Sequence, residues 1–122
     1  MYTAVVLDTE SHASLRARFH EAIPSGWTVY CHHMTINMGK PDEGPAKHLL
    51  GETIEMTVVS FAKDSKVMAV GVESTCPSTN ERKHVTLAVN RLVGGKPFHS
   101  NKLENWEPIE SFKITGTVME EK

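Results

Sequence analysis

His33-Met-Thr-Ile-Asn-Met38 and His84-Val-Thr-Leu-Ala-Val89 read alike: histidine, apolar, threonine, apolar, any residue, apolar. Strand side chains alternate between two faces, so His and Thr emerge together and the apolar residues emerge opposite them. Met34, Ile36 and Met38 make the apolar row of the first copy; Val85, Leu87 and Val89 make that of the second. Each segment is therefore read as a strand with one buried face. On the other face an imidazole and a hydroxyl stand about 7 Å apart along the chain. Fifty-one residues separate His33 from His84, which leaves room for one hairpin. The two strands then lie side by side or face each other across a cleft.

The flanking sequence supplies the remaining elements. Residues 2–7 are β-branched and apolar and predict a first strand. Asp8 to Ser11 offers N-cap residues, and Leu15, Phe19, Ala22 and Ile23 recur at helical spacing until Pro24-Ser-Gly26 stops the helix. Trp27 to Met38 predicts one long strand, ended by Gly39-Lys-Pro41. Residues 41–51, rich in Pro, Gly and charge, read as a flexible flap. Residues 53–61 and 66–73 predict two strands joined through Ala62-Lys-Asp-Ser65, a hairpin signal. A polar loop over 74–83 precedes a strand over 84–92. A helical turn around Ser100 to Trp106 and a last strand over 112–119 complete the chain. About six strands and one main helix predict an α+β domain of mostly antiparallel sheet, covering residues 1–122 without an internal boundary.

Composition bounds the function classes. The 122 residues (13.6 kDa) are 39% hydrophobic and 23% charged, too apolar for a disordered chain and sufficient for one core. No apolar run approaches the roughly 18 residues that cross a membrane. Met1-Tyr-Thr-Ala-Val-Val-Leu7 has no basic leader, so no signal peptide is expected and no membrane partner. Net charge is −2, whereas a protein holding long duplex DNA by its phosphates is normally basic. A site reading one or two phosphates stays open. Cys31 and Cys76 are too few for a disulfide scaffold and are expected as reduced thiols in a cytoplasmic protein.

Histidine is the unusual residue. With seven His and eleven Thr, chance supplies roughly 0.6 His-x-Thr pairs, so the weight lies in the matched apolar flanks of the two copies. Paired imidazoles suit phosphoester cleavage without a metal. One takes the proton of the incoming oxygen and the other protonates the leaving one, both near pH 7. Thr hydroxyls beside them can donate to the non-bridging oxygens. Strict alternation turns His32 to the opposite face, with Tyr30 and Met34, as a packing residue. His32, His33 and His84 could instead ligate a metal, but the spacings typical of zinc sites are missing. Cys31 could be a nucleophile with a histidine as its base, although a buried Cys is more often a small core residue.

The two segments, HMTI and HVTL, together with His32-His33, the opening strand and helix, and Ser100-Asn101 with Trp106, resemble the 2H phosphoesterases. That superfamily includes the LigT-like RNA 2′,3′-cyclic phosphodiesterases and the cyclic phosphodiesterase domains of tRNA ligases. The resemblance covers most of the chain and implies a bilobal fold, each lobe giving one motif to a central groove. It implies metal-independent opening of a 2′,3′-cyclic phosphate, commonly to a 2′-phosphate, with no cofactor and with an RNA end or small nucleotide as substrate. By that analogy His33 and Thr35 form one half-site and His84 and Thr86 the other, with His33 as the acid and His84 as the base. Tyr30, Lys40, Ser100, Asn101 and Trp106 are the expected substrate-binding residues. The chain departs from the family in being short, so its second lobe is expected to be pared down to its sheet. Two other readings remain: a hydrolase of cyclic oligonucleotides or other nucleotide phosphodiesters, and a nucleic-acid-binding β module without catalysis.

Overall fold

The computed structural model describes residues 1–122. Seven strands form: β1 (Tyr2–Leu7), β2 (Thr28–Val29), β3 (His33–Met38), β4 (Thr53–Lys63), β5 (Val67–Glu73), β6 (His84–Val89) and β7 (Glu107–Glu121). One α-helix, α1 (Thr9–Phe19), accompanies them. The strands are ordered β6-β3-β1-β7-β4-β5, every pair antiparallel, and β5 pairs back to β6. Six strands thereby close into a barrel. The seventh, β2, lies against the C-terminal end of β6, with Thr28 opposite Val89.

This closure overturns the bilobal α+β expectation: the protein is mostly β. A strand has two hydrogen-bonding edges. Those of β6 are taken by β2 and β3 on one side and by β5 on the other. The motif strands are thus neighbours in one wall, and no groove between lobes separates them.

The barrel interior is the apolar row of each strand. Val5 and Leu7, Met34 and Ile36, Met56 and Val58, Met68 and Val70, Val85 and Leu87, and Ile114 and Val118 form one buried cluster. Full burial of side chains of this size stabilises by roughly 1.5–3 kcal/mol each. Leu15 of α1 enters the same cluster, and Phe19 packs against it. Asp8 caps α1 by accepting from the Ser11 amide at 2.7 Å, and Ser11 Oγ accepts from the Thr115 amide at 2.8 Å, fastening the helix to β7.

Segments read as loops also take part. The expected flap forms two short 3-10 turns, Pro41–Glu43 and Lys47–Leu49, with Pro41 and Ala46 buried. Residues 97–102 form a 3-10 segment rather than an α-helical turn, and β7 begins earlier than predicted, at Glu107. A second, smaller cluster lies outside the barrel wall: Ala62, Val67, Ala69, Val89 and Leu103, with Tyr30 and Trp106 packed on it. No helix is long and apolar enough to cross a membrane.

Candidate active site

Because Met34, Ile36, Val85 and Leu87 fill the interior, alternation turns His33, Thr35, His84 and Thr86 to the outside of the wall. β3 and β6 join at one residue pair, Met34 with Val85. Toward the C-terminal end of β3, Thr35 follows beside His84, whereas on the other side the Cys31 and Tyr30 amides donate to the Thr86 and Leu87 carbonyls at 3.0 and 2.7 Å, so His33 stands at a bulge next to the residue that faces Thr86. The two imidazoles are near enough that the charge of His84 opposes protonation of His33. The sequence left two arrangements open, and the structure has the motifs side by side.

Small residues flank three of the four. On β1, Ala4 is paired with Thr35; on β5, Ala69 is paired with Thr86 and Gly71 with His84. His33 is instead paired with Val6 and has the Tyr2 ring against it. A cavity of about 1120 Å³ opens beside His84. One bank is the 74–83 loop, with Asn80, Arg82 and Lys83; the other carries Ser100, Asn101, Lys102 and Trp106.

His84 is 8% exposed, and burial holds its pKa below the usual histidine value. Its Nδ1–H donates to the Arg82 carbonyl at 2.9 Å. Since that carbonyl only accepts, the neutral ring has a bare Nε2, the form a general base requires. His33 is held lower still, at about 4, first by burial and then by repulsion from the imidazoles of His32 and His84. The Tyr2 ring lies tilted against it, 4.9 Å between centroids at 35°. Both histidines are therefore neutral at pH 7 in the free protein. An arriving phosphate anion would raise both values and allow one ring to take up a proton.

Thr86 Oγ1 is 2.8 Å from Ser100 Oγ, and Ser100 is 1% exposed. When Ser100 donates, the Thr86 proton is held only by the Pro97 carbonyl at 3.5 Å and can turn to a phosphoryl oxygen. Ser100 is thus a support for Thr86 more than a surface contact for substrate. Asn101 and Trp106 do line the cavity. The indole Nε1–H donates to the Leu103 carbonyl at 3.0 Å, which fixes the ring, and the Arg82 guanidinium lies 5.1 Å over it.

Two expected substrate contacts stand elsewhere. Tyr30 packs against the smaller apolar cluster, and its hydroxyl accepts from Arg91 Nη2. Lys40 is exposed beyond the Gly39 turn, where its amide donates to Glu43 Oε1 at 3.3 Å. Neither lines the cavity.

No protein-family model matches the chain, and no curated protein matches it.

The alternatives read from sequence also resolve into geometry. Cys31 is fully buried, its Sγ is 3.6 Å from the Leu87 carbonyl, and burial pushes its thiol up to about 11, so it stays protonated and unsuited to attack. His32 and His33 make a pair, and no third His, Cys, Asp or Glu completes a ligand set with them. The contact between those two rings was not expected. His32 is exposed, not packed on the opposite face, and its Nδ1 is 3.0 Å from that of His33. The signal for it is in the sequence: apolar residues run odd at Trp27, Val29 and Cys31, then even at Met34 and Ile36. Such a slip of phase marks a bulge.

Proposed function

We propose that this protein is a 2H-type phosphodiesterase that opens a 2′,3′-cyclic phosphate at an RNA or nucleotide end without a metal. The observation that carries the reading is that His33, Thr35, His84 and Thr86 share one outer face of the β3–β6 wall, opposite the buried Met34, Ile36, Val85 and Leu87. A phosphoryl group centred on that quartet meets an imidazole on either flank and hydroxyls at its non-bridging oxygens.

In the reaction, His84 Nε2 takes a proton from water as its oxygen attacks phosphorus. His33, protonated as the phosphate binds, gives its Nε2 proton to O3′ as the P–O3′ bond breaks and returns to the neutral ring, and a 2′-phosphate remains. Thr35 and Thr86 donate to the oxygens on which negative charge gathers. The nucleoside lies in the cavity beside His84, against Trp106 and Asn101. Base stacking on an aromatic ring is worth about 1–3 kcal/mol. Free, buried Cys31 and Cys76 support a reducing, cytoplasmic setting.

The test is incubation with nucleoside 2′,3′-cyclic monophosphates in EDTA, following products by phosphorus NMR. Wild type should turn them over, and His33→Ala and His84→Ala should each lose roughly 10²–10⁴-fold in rate. Near-full activity in either variant would refute the reading. The closed barrel favours a second reading, a binding module without turnover. Saturable binding of the intact cyclic nucleotide by wild type, with no product, would establish that reading instead.

A further inference from the structure

On a regular strand, consecutive side chains point to opposite faces, yet the rings of His32 and His33 meet edge-on. Their centroids are 5.2 Å apart at an interplanar angle of 81°, with 3.0 Å between the Nδ1 atoms. The cause is the backbone of Cys31, which lies in the left-handed region at φ +50°. It breaks the Trp27–Met38 stretch into β2 and β3 and re-aims the side chains that follow, as bulges do. A left-handed non-glycine residue persists only where its surroundings fix it. Here the Cys31 amide donates to the Thr86 carbonyl at 3.0 Å, and the Leu7 amide donates to the His32 carbonyl at 2.9 Å. The Nδ1–H of His12, on α1, donates to the Cys31 carbonyl at 2.7 Å. Neighbours on β6, β1 and α1 thus hold the bend that brings the two imidazoles together.

We propose that His32 is a positioning residue for His33: its bare Nδ1 accepts the Nδ1–H of the His33 imidazolium, fixing the ring with its Nε2–H free for the leaving oxygen. This rests on the two-histidine reading above. Two Nδ1 atoms at this distance share one proton, so one ring donates and the other accepts. The Arg82 carbonyl has already committed His84 to the form with a bare Nε2, the base. The acid role falls to His33, which must carry protons on both nitrogens to give one from Nε2 and end as a neutral ring, so its Nδ1–H needs an acceptor. His32 Nδ1 is that acceptor. The titratable groups around His33 are His32, His84 and Tyr2. Burial depresses the His33 pKa, so an acceptor at Nδ1 favours the charged form that the acid role needs. The near-symmetric motifs are thereby made unequal, one imidazole set as base by a carbonyl and the other as acid by a second imidazole.

The experiment compares wild type with His32→Ala and His32→Asn, whose amide oxygen can stand in for the accepting Nδ1. Imidazole nitrogen NMR with inorganic phosphate bound should find protons on both His33 nitrogens and none on His32 Nδ1, with a coupling across the shared hydrogen bond. In His32→Ala, His33 Nδ1 should lose its bonded shift. The kcat for cyclic nucleotide should fall roughly 10–100-fold, the scale of a mispositioned catalytic group, with KM nearly unchanged and the alkaline limb of the pH profile, which the acid sets, displaced to lower pH. His32→Asn should recover most of kcat. His32 is exposed, so the melting temperature should not move, which separates positioning from a structural role. A proton found on His32 Nδ1 with phosphate bound, or a His32→Ala variant with unaltered kcat and pH profile, would overturn the proposal. If wild type hydrolyses nothing, the phosphodiesterase reading fails by itself, and the NMR arm still decides whether His32 accepts from His33.

Discussion

Met34 of β3 and Val85 of β6 are the single residue pair through which the two motif strands join. On one side of that pair the Cys31 bend diverts β3. On the other, the 74–83 loop takes over its edge, with Ser78 Oγ donating to the Thr35 carbonyl at 2.8 Å and the Thr79 amide to the Ile36 carbonyl at 2.7 Å. The pair sits at the middle of the polar quartet on the outer face and inside the apolar cluster on the inner one. Packing below it therefore sets the spacing of the imidazoles above it.

Met34 is fully buried, and truncating it should disturb both faces. Met34→Ala is expected to cost about 2–5 kcal/mol, and to lower kcat as His33 and His84 lose their fixed separation. Met34→Leu keeps the volume and should cost less than about 1.5 kcal/mol with little loss of rate. Urea unfolding and cyclic-nucleotide turnover, measured on both variants, check the link.

The depressed histidines make stability depend on pH in a defined direction. His33 is held at about 4 against an ordinary value of 6.5, and His84 is also lowered. As pH falls below 6.5, the unfolded chain takes up protons that the folded one refuses, so stability declines, and for His33 the loss continues to about pH 4. After screening at a partly open site, His33 accounts for on the order of 2 kcal/mol of this loss. His33→Gln should flatten the fall in urea midpoint between pH 6.5 and 4, and an unchanged slope would count against the buried, neutral ring.

Ser100 should behave as the support of Thr86. Ser100→Ala leaves the Thr86 hydroxyl with only the distant Pro97 carbonyl, 3.5 Å away. The loss is expected to be about 1 kcal/mol, a drop in melting temperature of roughly 4 °C for a domain of this size. Because Ser100 is 1% exposed, substrate binding should be little affected and KM should hold, while kcat falls with the orientation of Thr86.

The period-two pattern carried much of the site: His33, Thr35, His84 and Thr86 lie on one face because Met34, Ile36, Val85 and Leu87 demand the other. The strand over 2–7, the helix from Thr9 and the hairpin of β4 and β5 were legible for the same local reasons. Closure was not. It depends on β5 pairing with β6, and alternation along either strand says only which face is apolar, not which edge finds which partner. The Cys31 bend showed only as the slip of apolar phase between Cys31 and Met34, and its backbone cause was hidden for another reason. Positive φ is read from Gly or Asn, and here a cysteine adopts it under compulsion from His12, Leu7 and Thr86. Ser100 and Trp106 could be singled out as polar and aromatic candidates, but their division into a support for Thr86 and a wall of the cavity comes from the 97–106 segment folding back over β5 and β6.

Gly71 tests how closely that segment is fitted to the wall. It is paired with His84 on one side and Ser60 on the other. A Cβ there would fall 2.2 Å from Ser60 Oγ and 3.5 Å from the Trp106 ring. Ser60 is buried, and its hydroxyl has no hydrogen-bond partner, so it fills space without being anchored. Gly71→Ala must displace that hydroxyl, at an expected cost of about 1–3 kcal/mol. The indole, at 3.5 Å, meets the added methyl in ordinary contact and keeps its place, so KM for a cyclic nucleotide should hold. Adding Ser60→Ala removes the clashing oxygen, so the double variant should regain most of the lost stability. Urea midpoints across the four-member cycle measure the coupling. Additive effects would mean that the Ser60 hydroxyl is not what the added methyl meets, and a raised KM would mean that the indole is displaced after all.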